Sequence, residues 1–210
     1  LATTSMGFGF AVGSLIGGTM ASWAGYSSAF IVAAGLAVVG FVGVWQGLPE
    51  TARSASTEKT APPSLRRQLQ VLMANRIILA ACAGSILSNL VFGGLILTFF
   101  PLYAYGVGYT QAMIGSMFAT RAMASTLARL PAGILGRYFP GHMVMLCALI
   151  LSTGVAFTLV QFTGPTILIL LLVGEGIGYG LYLTAGQATI ASHASESNRG
   201  AALGIYMASA

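Results

Sequence analysis

Six stretches of this chain are long and apolar enough to cross a hydrocarbon core: Leu1–Trp23, Ser27–Leu48, Ile77–Tyr105, Gln111–Leu130, Met143–Phe162 and Thr166–Ala191. A helical span needs about 20 apolar residues, and each stretch supplies about that many or more. A seventh begins near Gly200. A backbone in lipid must satisfy its own hydrogen bonds, and none of the stretches alternates as a barrel strand does, so all are expected to be α-helices. The expected fold is an all-α polytopic membrane protein with about six full transmembrane helices and the start of another.

Charge is sorted among the gaps. Glu50, Arg53, Glu58, Lys59, Arg66, Arg67 and Arg76 fall between the second and third stretches. Arg129, at the very end of the fourth stretch, and Arg137 mark the next charged gap, and Glu196 and Arg199 follow the sixth stretch. The gaps near Gly25, Tyr105–Thr110 and Phe162–Pro165 hold none. Basic residues in short loops stay on the cytoplasmic side during insertion, so 49–76, 129–142 and 192–200 are expected inside, in a cell (inner or plasma) membrane.

Composition excludes most other classes. Hydrophobic residues make up 56% and charged residues 6%, with a mean hydropathy of +0.85, whereas soluble domains carry about 25% charge. The net charge of +5 does not point to nucleic acid, because the basic residues border apolar spans instead of interleaving with aromatics on a polar face. Lipid headgroups are the expected partner. Cys82 and Cys147 lie within apolar runs with no metal-ligand spacing around them, so neither a disulfide, a metal site nor a cofactor is expected. The chain opens without an initiator Met and stops inside an apolar run, which reads as a piece of a longer protein.

Residues 49–76 shift sharply towards Ser, Thr, Pro and charge and read as a linker between two bundles. In its second half Ser64 can cap a short helix with Leu65, Leu69 and Leu72 on one face, suited to the inner membrane surface. A solvated connector is the other reading. The aromatics of Phe99–Tyr109, with Pro101 among them, fit an interfacial belt at the opposite end.

Gly9, Gly13, Gly17 and Ala21 stand four apart and share a helical face, which predicts close packing against a neighbouring helix. As a string, GFAVGSLIGG (Gly9–Gly18) resembles the fifth-helix motif of the major facilitator superfamily, with Gly9, Gly13, Gly17 and Gly18 matching. Ser14 stands where many proton-coupled drug exporters of that family carry proline. RLPAGILGRYFPG (Arg129–Gly141) is similar to the weaker second copy of the family's loop motif through Gly133 and Leu135. It lacks the acidic residue and keeps Arg137 near the motif's arginine. NRGAALGIY (Asn198–Tyr206) resembles the entrance to helix eleven. The resemblance implies helices five to eleven of such a transporter. Residues 1–48 would end the N-terminal bundle, 49–76 would be the central loop, and 77–210 would be a truncated C-terminal bundle. It further implies a solute, with or without protons, as cargo and a monomer at full length.

Two charges sit inside the stretches. Arg121 and Glu175 each lie about ten residues from the charge-free end of their segment, hence at a shared depth of roughly 15 Å. A charge at a helix centre costs about 2.5–3.5 kcal/mol on insertion scales, so both are expected to face the bundle interior and pair with each other. A fixed structural pair and a transport role both satisfy that expectation. If the pair opened, the buried carboxylate would be neutralised by taking up a proton. Glycines at 174, 176, 178 and 180 weaken helix propensity on both faces and predict a bend near the midplane. Tyr179 and Tyr182 follow Glu175 on its face and are candidates for solute contact or for packing. Asn89, at mid-depth in the third stretch, is a candidate lining residue or an interhelical hydrogen-bonding group.

A secondary transporter of a small solute by alternating access is the leading function. A channel or a non-transporting membrane scaffold is the alternative. An intramembrane enzyme is the weakest reading: GYSS (Gly25–Ser28) offers a hydroxyl, but His142 and His193 lie at the opposite edge and the chain has no Asp.

Overall fold

In the computed structural model, residues 2–47, 74–195 and 198–209 are described. The linker helix read from Ser64 to Leu72 and the charge at Glu196 lie outside them. Among the described residues every regular element is helical: α1 (Ala2–Gly47), α2 (Arg76–Asn89), π1 (Leu90–Phe99), α3 (Phe100–Gly106), α4 (Gln111–Tyr138), α5 (Gly141–Leu159), α6 (Pro165–His193) and α7 (Arg199–Ala208).

α1 holds the first two expected spans, turned against each other at Gly25, whose φ of 80° and ψ of 172° only glycine adopts without strain. Ser28 Oγ donates to Gly25 O at 2.7 Å and to Met20 O at 3.3 Å. Eight residues of straight helix would separate the latter pair by about 12 Å, so the chain reverses here. The third expected span is composite. Asn75 Oδ1 caps α2 by accepting from the Ile77 N–H at 3.0 Å, and π1 then interrupts the α-helix for ten residues. The expectation of α-helix throughout is corrected at this point. Gly93 and Gly94 weaken the α-helix, and Thr98 Oγ1 donates to Gly93 O, five residues back, at 2.8 Å.

α4 runs past its expected end at Leu130, through Pro131, to Tyr138. The charged gap expected at 129–142 is thus largely helix. Four helical stretches have the length and hydropathy of a span: Ser5–Gly47, Arg76–Gly106, Gly141–Leu159 and Pro165–His193. α4 has the length, but Arg121, Arg129 and Arg137 make it more polar. It packs on α1 along one side and on α6 along another, so protein shields much of it from lipid.

The two classes of gap gather at opposite ends. At the charge-free end Gln111 Nε2 donates to Tyr26 OH at 2.7 Å, Tyr103 OH donates to Phe162 O at 3.0 Å, and Tyr109 OH donates to Thr163 O. At the charged end Arg76, His142, Ser192 and His193 border one cavity. Two apolar clusters fill the interior. One, nearer the charge-free end, includes Ile96, Phe100, Met117, Phe118, Leu168 and Leu172; the other includes Ile78, Met145, Tyr182, Ile190 and Tyr206. On the outside, Trp23, Phe30, Phe41 and Trp45 are exposed, as on a surface that meets lipid.

Candidate functional site

α4 and α6 touch backbone to backbone, and glycine permits it. A Cβ on Gly176 would overlap the carbonyl oxygen of Arg121, and one on Gly180 would overlap that of Ser125. Gly178 faces α5 instead, where a Cβ would come within 3.1 Å of Ala148 O, and Gly174 lies beside Val155. The alternating glycines therefore give α6 two contact faces. The sequence predicts a bend, yet α6 is one continuous helix from Pro165 to His193. Each glycine costs about 1 kcal/mol of helix propensity, and close packing on both sides offsets it.

At the α4–α6 contact Arg121 Nε donates to Glu175 Oε2 in an ion pair whose side chains are 2% and 1% exposed. In sequence the pair follows Met117 and Phe118 on α4 and Leu172 on α6, which belong to one apolar cluster, and on α6 it precedes Tyr182 of the other. The Arg121 Cζ lies 3.9 Å from the ring centroid of Phe92 and 5.2 Å from that of Tyr179. Those rings are 4.8 Å apart, and Phe10 of α1 meets Phe92 edge-on at 6.2 Å. Elements α1, π1, α4 and α6 thus converge on one guanidinium. A desolvated cation over aromatic faces gains about 2 kcal/mol, which helps to hold this charge in an apolar layer. Arg121 Nη2 and Ser125 Oγ, one turn along α4, are buried with no hydrogen-bond partner among the described residues. Such donors cost about 1–3 kcal/mol each while unsatisfied.

The other expected residues divide. Tyr179 joins the Arg121 cluster. Tyr182 does not: its hydroxyl donates to Ala81 O at 2.9 Å, and its ring tip lies against Gly84 on α2. Asn89 Nδ2 donates to Ser85 O at 3.1 Å, one turn back on its own helix, at the junction with π1. Gly9, Gly13 and Gly17, predicted to pack tightly, have open space where a Cβ would stand. The packed face of α1 is offset from theirs: Gly18 meets Gly115, Gly115 also meets Ser14 O, and Gly7 meets Thr126. In the loop motif, Gly133 borders the charged-end cavity and Leu135 packs on the neighbouring apolar cluster. The Arg137 side chain lies outside the described residues. No group of three or more His, Cys, Asp or Glu converges among the described residues.

Phe92 and Ser125 escaped the sequence reading. Ser125 carried a signal, since it stands four residues after Arg121 on the same face. Phe92 carried none, because π1 sets its direction.

The family model of the Major Facilitator Superfamily matches residues 1–208. The chain belongs to this superfamily. Its members are transporters rather than enzymes, so the protein is a multi-pass membrane transporter with the bilayer and a small solute as partners. Comparison with curated proteins and with solved structures gave no match. For a Major Facilitator Superfamily chain, a sealed ion pair across two tightly packed helices sets the mechanistic question.

Proposed function

We propose that the protein carries a small solute with hydrogen-bond acceptors by alternating access, and that Arg121 and Glu175 form the mid-membrane element of its pathway. The observation that carries this reading is the buried pair at the meeting of four elements, with Arg121 Nη2 and Ser125 Oγ left unsatisfied beside it. A solute acceptor that reached Arg121 would satisfy the spare donor and compete with Glu175 for the guanidinium. A carboxylate released in a low-dielectric interior takes up a proton, which couples solute to proton movement. Residues 1–48 and 77–210 serve as parts of two bundles that rock about the α1–α4 contact, where Gly18 and Gly115 allow close approach. The charged loops face the cytoplasm of an inner or plasma membrane.

Proteoliposomes holding a pH dye test the reading with a panel of a sugar, an organic anion and an amphipathic cation. One class is expected to be concentrated and to shift internal pH in the native protein. Glu175→Gln is expected to abolish the pH shift while the solute still binds. An unaltered proton signal in Glu175→Gln removes the residue from coupling, and uptake that only dissipates a gradient identifies a channel.

A further inference from the structure

The charged-end cavity, about 940 Å³ between α2, α4, α5 and α6, lies apart from the Arg121–Glu175 pair, neither residue of which lines it. Such a volume suits a drug-sized or lipid-sized ligand. Its chemistry is graded. Arg76, His142 and His193 stand at the edge, while Ala81, Gly84 and Leu149 line its depth. From Arg76 to Gly84 along α2 is about 12 Å, which carries the cavity well into one leaflet.

The edge is suited to an anion. Among the described residues none of the lining side chains is acidic. α5 starts at this edge with Pro140 as its N-cap and no side-chain cap; Met143 N–H donates to Pro140 O, which leaves the Gly141 and His142 N–H groups and the positive end of the dipole at residues that line the cavity. His193 Nδ1 lies 2.9 Å from Thr189 O. A carbonyl only accepts, so Nδ1 carries a proton, and Nε2 donates to a phosphate oxygen in the imidazolium form, where both ring nitrogens are protonated.

We propose that this cavity binds an anionic lipid of the adjacent leaflet, with its phosphate at Arg76, His193 and the α5 N-terminus and an acyl chain in the apolar depth. Charge complementarity selects the headgroup, and the apolar lining requires a chain rather than a free ion.

Native mass spectrometry of the purified protein tests it with phosphatidylglycerol, phosphatidylcholine of the same chains, and glycerol phosphate. The expected result is phosphatidylglycerol retained about tenfold more than phosphatidylcholine, with glycerol phosphate unable to displace it. Arg76→Ala with His193→Ala is expected to cancel that preference; both side chains are exposed, so the core is untouched. Gly136→Phe directs a ring into the cavity from a position with open space around its Cβ and is expected to block retention with the thermal midpoint unchanged. Equal retention of both lipids, native retention in the double variant, or displacement by glycerol phosphate alone would each overturn the proposal.

Discussion

Arg121 is held by a carboxylate, two aromatic rings and the backbone contact beneath it, so its substitutions act through different terms. Arg121→Met leaves Glu175 buried without its cation and is expected to destabilise the protein by about 3–5 kcal/mol. Arg121→Met combined with Glu175→Leu removes both charges and is expected to cost less than either single change. Equilibrium unfolding in mixed micelles measures all three, and additive losses would show that the two residues do not act as a pair. The glycines allow a sharper comparison. Gly180→Ala drives a methyl group into the Ser125 carbonyl, an overpacking cost of about 1–3 kcal/mol. Gly133→Ala meets open space and gains up to about 1 kcal/mol of helix propensity. Thermal midpoints should therefore move in opposite directions.

Elements were legible where one physical signal decided them. Long apolar runs fixed the helices; the side-chain caps at Asn75 and Thr110, which the sequence reading did not single out, mark two of their starts. The end of α4 was misplaced because Arg129 and Arg137 read as a charged gap, although a helix packed on two sides continues through them and through Pro131. The π geometry of Leu90–Phe99 leaves no periodic trace, since its i+5 bonding follows from local strain and neighbours, and Phe92 was missed with it. The Arg121–Glu175 pair was legible, because burying one charge demands the other at the same depth. The packed face of α1 was not, because the position of Gly115 on another helix selects it. That choice has a consequence. Gly18→Val should lower the thermal midpoint by an amount equivalent to about 1–3 kcal/mol, whereas Gly13→Val, on another face of the same helix, should leave it nearly unchanged. Equal losses at both positions would return the contact to the Gly9–Gly13–Gly17 face.

Across the whole molecule, charge sorting in the sequence and spatial sorting in the fold coincide. The three gaps without charge are tied together by Tyr26, Tyr103, Tyr109 and Gln111, while Arg76, His142 and His193 gather at the other end. Insertion holds basic loops on the cytoplasmic side, so this end should face inward. The test uses single cysteines in a background with Cys82→Ala and Cys147→Ser. Ser27 and Val107 report the charge-free end, and Tyr138 reports the charged end; all three are exposed. An impermeant maleimide applied to intact cells should label Ser27→Cys and Val107→Cys about tenfold faster than Tyr138→Cys, and permeabilisation should erase the difference. The opposite pattern would turn the molecule over. It would move the anionic-lipid cavity to the outer leaflet, where fewer acidic headgroups reside, and would reverse the side from which a proton reaches Glu175.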